Sequence, residues 1–319
     1  MEKIKTYQFS GFLEAGKTTY IQDAIFHDYF YRHGRTLILS FEDGEVRYDT
    51  EKLRSFNTDA VYFQGEGSEE ITAFCLASIE KYRPDRIYME DNAMMDDLKA
   101  ALPPCMALEA KTALIDGTTL ALYFNNMRQK MLNIVKDCRL VIFNRVPDKE
   151  DLKPYGNAFR IMEQRAAYLW ESPAGYHEKA FAGSFAFDTA QDPINIRDCD
   201  YASFFLDSLE NPDSYVGKEI EIDAQVRLED AGADTFRVGR MVMTCCLADV
   251  QFLSFSCKKE VGIDPSDNSW IHLRARCGTG ADEYGRKRLV LEPVSVGATK
   301  PPDSLIVGVR SPAGTAPSV

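Results

Sequence analysis

Nowhere does the chain string together the ~18 apolar residues that a helix needs to cross a bilayer, so a helical membrane span is not expected. The first thirty residues carry several charges and no apolar run of signal-peptide length, which points to a cytoplasmic protein. Cysteine never recurs as Cys-x-x-Cys: Cys75, Cys105, Cys138, Cys199, Cys245, Cys246, Cys257 and Cys277 are scattered, and the four histidines do not cluster with them. A structural zinc site is therefore not signalled, and thiols in a cytosolic chain of this size stay reduced. Positive charge is also in deficit, with 37 Lys and Arg against 49 Asp and Glu, a net charge of −12. That balance disfavours nucleic acid or an anionic membrane as partner, since both need a basic face. What remains is a chain of 319 residues with 45% apolar content, enough for two cores.

The densest signal is Gly11-Phe12-Leu13-Glu14-Ala15-Gly16-Lys17-Thr18-Thr19, a full Gly-x-x-x-x-Gly-Lys-Thr phosphate-binding loop. Gly11 and Gly16 let the backbone turn tightly, so that successive N–H groups from Leu13 to Thr18 donate to phosphate oxygens. Lys17 supplies charge at the β- and γ-phosphates, and Thr18 offers a hard oxygen to Mg²⁺. The context fits. Ile4, Tyr7 and Phe9 precede the loop as a short strand, and Ile21, Ala24, Ile25 and Tyr29 follow it at helical spacing.

Strand-like and helical stretches then alternate, as in a mostly parallel sheet covered on both faces. Strands are expected at 36–41, 60–63, 86–89, 112–115 and 140–143, and helices at 69–82, 94–101, 118–135 and 156–170. Polar residues recur at the carboxyl ends of the strands, where open α/β sheets bind ligands: Glu42, Asp43 and Glu45, then Glu90, Asp91 and Asn92, then Asp116, then Asn144. Each one alone reads equally well as a helix cap or a solvated turn.

Beyond residue 190 the pattern changes to short β-like segments at 219–228, 236–245, 250–257, 270–276 and 288–291, evenly spaced between Gly, Asp and Pro clusters. This predicts a small all-β barrel of about five strands. The expected organisation is a P-loop domain over 1–190, a linker over 191–209, the barrel over 210–302 and a flexible tail over 303–319.

In order, the loop, Glu42-Asp43-Gly44-Glu45-Val46, Glu90, Ile115-Asp116 and Phe143-Asn144-Arg145 resemble the CobW-type P-loop GTPases, relatives of the UreG and HypB metal-insertion proteins. The resemblance covers roughly residues 3 to 170. It implies GTP and Mg²⁺ on Gly11, Leu13, Glu14, Ala15, Gly16, Lys17, Thr18 and Thr19, with Asn144 and Arg145 at the base. It also implies Mg²⁺ or its water on Thr18, Glu42, Glu45 and Glu90, and catalysis by Lys17 and Glu90. Four departures stand out. Glu14 and Ala15 replace the family's usual Gly and Ser, and Ala93 takes the place of a Gly. The guanine-reading Asn-Lys-x-Asp becomes Asn144-Arg145-Val146-Pro147, with Asp148 one position late, and Phe63 to Ser68 lacks the Cys-x-Cys-Cys metal motif.

Residues 209–300 resemble the soluble C-terminal domain of YcgQ-type partners of predicted membrane permeases, which implies an OB-like β-barrel. That resemblance rests on Asn211-Pro212, Tyr215, Gly217-Lys218 and the unbroken run from Gly239 to Asp249. Cys245 and Cys246 invite a zinc reading, but neighbours on a strand point to opposite faces, so both reach one ion only across a bulge. The whole predicts a cytoplasmic Mg²⁺-dependent GTPase, slow without a partner or a homodimer, linked to a metal cargo or a membrane permease. Two alternatives stand beside it: an adaptor that binds nucleotide without significant hydrolysis, and an enzyme that prefers ATP.

Overall fold

The computed structural model describes residues 3–27, 34–95, 98–178, 180–181, 190–228, 234–244, 249–259, 265–282 and 285–308. The chain divides into two compact units, Met1–Leu152 with Glu163–Ala180, and Lys153–Met162 with Phe181–Val319.

The first unit begins with β1 (Ile4–Ser10), α1 (Lys17–Phe26), β2 (Thr36–Ser40), α2 (Thr50–Ser55), β3 (Thr58–Tyr62), α3 (Ser68–Tyr82) and β4 (Arg86–Glu90). It continues through α4 (Leu98–Ala101), β5 (Met106–Asp116), α5 (Leu120–Asn126), α6 (Arg128–Val135) and β6 (Leu140–Asn144). After α7 (Gly156–Met162), which belongs to the second unit, β7 (Ala167–Ser172) and β8 (Gly175–Glu178) complete the sheet. The strand order is β3-β2-β4-β1-β5-β6-β7-β8, with only the β7–β8 pair antiparallel.

Alternation along the strands makes two cores. Phe9, Ile38, Tyr88 and Leu114 pack with Ile21 and Ile25 of α1 on one face. Leu37, Leu39, Ile87 and Met89 pack with Ile71 and Cys75 of α3 on the other. Complete burial of side chains such as Ile21 and Leu39 stabilises by roughly 1.5–3 kcal/mol each. The start of α3 carries Glu69 and Glu70, which suit the positive end of its dipole. It stops at Arg83, whose φ of 46° is left-handed, and Pro84 cannot continue the helix.

In the second unit come β9 (Ile194–Ile196), α8 (Tyr201–Glu210), β10 (Glu219–Leu228), β11 (Thr235–Met243), β12 (Gln251–Lys258), β13 (Trp270–Ala281), β14 (Lys287–Ala298) and β15 (Ile306–Gly308). Pairing of β10 with both β11 and β13 closes a five-stranded barrel in the order β10-β11-β12-β14-β13. Its interior is built from every second residue: Ile220, Ile222, Ala224 and Val226 of β10 face Leu273, Ala275 and Cys277 of β13 within the closed sheet. The side chains of α8 press onto this core. Phe204 and Phe205 lie 5.5 and 5.2 Å from Phe255, and the Tyr201 hydroxyl donates to the Leu253 carbonyl at 2.8 Å.

Three expectations change. The helix read over 156–170 is α7 followed by β7; a short apolar run such as Ala166 to Trp170 fits either period, and pairing with β6 decides for strand. The helix read over 118–135 breaks at Met127, which has φ −136° and caps both α5 and α6. Residues 191–209, read as a linker, contribute β9, paired in parallel to β10, and most of α8, so they are structural parts of the second unit. Of the expected tail, residues 306–308 pair with β11 and the rest from 309 lies outside the described residues. Among the described residues no helix is long and apolar enough to cross a membrane.

Candidate functional site

The loop between β1 and α1 turns on Gly16, with φ 87°, a left-handed backbone in which a side chain is strained. A Cβ there would also lie 2.7 Å from the Asn144 amide nitrogen. That close approach is used: Asn144 Nδ2 donates to the Ala15 carbonyl at 2.8 Å, and Arg145 donates to the Glu14 carbonyl at 3.0 Å. The end of β6 thus fastens the loop from its far side. Glu14 is itself left-handed, φ 61°, and its carboxylate accepts from the Glu45 backbone N–H at 2.7 Å. Glu45 meets the loop through this backbone group.

Lys17 is buried, and its ammonium donates to the Gly11 and Phe12 carbonyls at 3.0 and 2.8 Å. It also forms an ion pair with Glu42 at 2.9 Å. Burial pushes the Glu42 carboxyl from its usual 4.5 to about 7; Lys17 opposes the rise, while the charges of Glu90 and Asp91 add to it. Between those two values the folded chain holds a proton that the unfolded chain has released. Stability of the nucleotide-free protein is therefore expected to fall as pH rises from 4.5 to about 7, and to level off above. Thermal melts across this range check it, and Glu42→Gln should flatten the slope.

Glu90, at the end of β4, accepts from three hydroxyls: Thr18 at 2.6 Å, Ser40 at 2.7 Å and Tyr48 at 2.9 Å. Burial beside this carboxylate raises the Tyr48 phenol well above its ordinary range, which keeps it a donor. Asp91, one residue on, points to the opposite face and accepts from Gln8 at 2.6 Å and from Ser10. Burial raises its pKa too, against the pull of those two donors.

Of the residues expected from sequence, Lys17, Thr18, Glu42, Glu90, Asn144 and Arg145 gather around one loop. Asp116 joins them through Arg145 at 2.6 Å, and it also caps the following turn by accepting from the Thr118 N–H at 2.8 Å. Ser40 and Tyr48 were not anticipated. Ser40 follows the apolar run Leu37 to Leu39 at the end of β2, a signal that could have been read; Tyr48 carried none. A cleft of about 270 Å³ opens beside the loop, with Glu14, Asp116, Thr119 and Arg145 on its wall and Phe12 stacked on Tyr123 at 4.2 Å.

Hydroxyl and carboxylate oxygens are what Mg²⁺ takes, and it needs only one or two from the protein when phosphates and water supply the others. Thr18, Glu90 and Glu42 fit that demand. Zinc is a different matter. Cys245 and Cys246 lie outside the described residues, and Cys257 and Cys277 are buried in the barrel, where burial pushes the Cys277 thiol up to about 12. Among the described residues no three His, Cys, Asp or Glu side chains gather as a metal-holding group.

A phosphate-binding loop between the first strand and helix of this mostly parallel sheet defines a P-loop NTPase fold, joined here to a closed five-stranded barrel. Residues 176–296 match the family model described as the DUF1980 C-terminal domain. No curated protein matches the chain. Similar solved structures include the Zn(II)-bound YjiA GTPase from E. coli, at 16% identity and TM-score 0.42 over 75% of this chain and 86% of that one. Others are the hydrogenase maturation factor HypB from Archaeoglobus fulgidus (16%, TM-score 0.37, 52% and 80%) and the signal recognition particle receptor FtsY from Elizabethkingia anophelis (13%, TM-score 0.38, 65% and 66%).

Proposed function

We propose that the chain is a Mg²⁺-dependent GTPase of CobW-like type, whose P-loop unit turns over nucleotide while the barrel engages a partner, a metal cargo or a membrane permease. The observation that carries the reading is the buried set of Lys17, Thr18 and Glu90 at a loop already fastened by Asn144 and Arg145. When bound, Mg²⁺ would supply charge neutralisation at the β- and γ-phosphates, held by Thr18 with Glu90 or Glu42. The loop amides and Lys17 stabilise charge on the γ-phosphate, and Glu90 orients water. Turnover by the chain alone is slow, and a partner or a second copy supplies an arginine directed at the γ-phosphate.

Preference for GTP rests on the family resemblance. The second hydrogen on Asn144 Nδ2 suits N7 of either purine, so parallel titration with GTP and ATP is the decisive measurement. The expected outcome is GTP binding at least about tenfold tighter, with slow phosphate release in Mg²⁺. Equal affinities would remove the preference for GTP, and absence of nucleotide binding would sink the reading. One observation favours a second reading, an adaptor that binds without hydrolysis: the Lys17 ammonium is already engaged by Glu42 and two loop carbonyls, and nucleotide must displace that pair. A single-turnover assay with no phosphate released would favour it.

A further inference from the structure

Asp116, Asn144 and Glu171 form one row across the ends of three parallel strands. Leu114 of β5, packed against α1, pairs with Ile142 of β6, and Ile142 pairs with Leu169 of β7. Two residues further along each strand the same face carries Asp116, Asn144 and Glu171, because side chains alternate with a period of two. Tyr176, directly opposite Glu171 on β8, meets Tyr20 of α1 edge-on at 6.4 Å, so this is the face on which the loop's own helix lies.

The carboxylates near Asn144 are not equally engaged. Both oxygens of Asp116 are taken, Oδ1 by the Thr118 N–H and hydroxyl at 2.8 and 2.6 Å, and Oδ2 by Arg145 at 2.6 Å. Asp148 is exposed beyond Pro147, in a turn closed by the Asp151 N–H, which donates to its carbonyl at 3.0 Å. Glu171 is half-buried, and its Oε2 accepts the Arg145 backbone N–H at 3.2 Å. That bond ties the carboxylate to the residue after Asn144 and leaves Oε1 for another donor.

We propose that Glu171 is the group that reads guanine, a specificity-determining residue at the nucleotide site. This rests on the GTPase reading and says which side chain selects the base. Both purines offer N7 to Asn144 and differ at the far edge: guanine presents two donors, N1–H and N2–H, where adenine presents N1 as a bare acceptor. An ionised carboxylate offers acceptors only. It takes both guanine hydrogens and is repelled by N1 of adenine. Neighbouring strands set the Asn144 and Glu171 backbones ~4.8 Å apart, and the extra methylene of Glu carries its carboxylate farther out than the Asn amide, so one ring system spans the two. Asp148, displaced by one position, is not needed for the task.

The test is titration of the full chain with GTP, with inosine triphosphate, which lacks the 2-amino group, and with xanthosine triphosphate, which has a carbonyl in its place. Wild type is expected to prefer GTP to either by about tenfold or more. Glu171→Gln presents one acceptor and one donor, which match N1–H and the C2 carbonyl of xanthine. It should bind xanthosine triphosphate about tenfold tighter, and GTP about tenfold weaker, than wild type does. A residue that only steadies the strand ends would lose affinity for all three nucleotides and gain none. Glu171→Ala should bind GTP and inosine triphosphate alike. Unchanged preference for GTP in both variants overturns the proposal, as does an exchange of GTP for xanthosine triphosphate in Asp148→Asn instead. A wild type that binds GTP and ATP equally removes the GTP preference and Glu171's role with it. A wild type that prefers GTP, with Glu171→Gln keeping that preference, removes only Glu171 and leaves the GTPase reading standing. If Glu171→Gln fails to fold, the alanine variant carries the test.

Discussion

Lys17→Ala is expected to reduce GTP hydrolysis by about 10²–10³-fold or more, the loss typical of removing one preorganised charge or donor from a transition state. The same substitution should lower stability, because Glu42 keeps its buried position and loses the ammonium 2.9 Å away. Breaking a buried pair from one side costs about 3–5 kcal/mol when the survivor stays charged. Here the survivor has an escape: its pKa already stands at about 7, so it takes up a proton instead. The stability loss should accordingly shrink at lower pH. Adding Glu42→Gln to Lys17→Ala should restore much of the stability and none of the hydrolysis. Denaturant melts and phosphate release, measured on the single and double variants, distinguish a catalytic lysine from a purely structural one. A Lys17→Ala protein that hydrolyses at the wild-type rate would end the GTPase assignment.

The second large effect concerns Glu90. In Glu90→Ala three hydroxyls on Thr18, Ser40 and Tyr48 lose one acceptor, and hydrogen bonds to a charged group contribute about 1.5–3 kcal/mol each. Hydroxyls rotate and find water, so the expected net loss is about 3–4 kcal/mol rather than the full sum. Glu90→Gln keeps an acceptor oxygen and the shape, and should fold with a smaller loss. Both variants are expected to hydrolyse GTP about 10²-fold more slowly, since neither presents a carboxylate to water or to the metal's shell. Unfolding curves read the first difference and single-turnover rates the second. Wild-type turnover by Glu90→Gln would assign the residue to holding the strands together.

The phosphate-binding loop was legible in the sequence because its requirements are local. Gly11, Gly16, Lys17 and Thr18 sit at a spacing fixed by one loop, and strand and helix flank it. Glu90 and Asn144 could be found because a parallel sheet brings the ends of its strands to one edge. What stayed hidden depends on pairings remote in sequence. Tyr48 reaches Glu90 across 42 positions, and no period announces it. Trp170 looks equally at home in a helix or a strand until β6 offers its edge. Residues 191–209 read as a linker because Asp192, Asp198 and Asp200 dominate the composition, although Ile194, Ile196, Tyr201 and Phe204 are buried. Glu171 gave no signal of its own; its place beside Asn144 could be seen only once β7 had paired with β6.

Asn144 and Arg145 grip the loop at Ala15 and Glu14 through main-chain carbonyls, not side chains. Such a clamp is blind to which side chains those two positions carry. The clamp itself therefore does not depend on the side chain at position 14 or 15, although the left-handed backbone of Glu14, its hydrogen bond from Glu45 and the burial of Ala15 restrict what each can carry. The tolerance has a fixed counterpart: a change at Asn144 would be felt by every version of the loop alike.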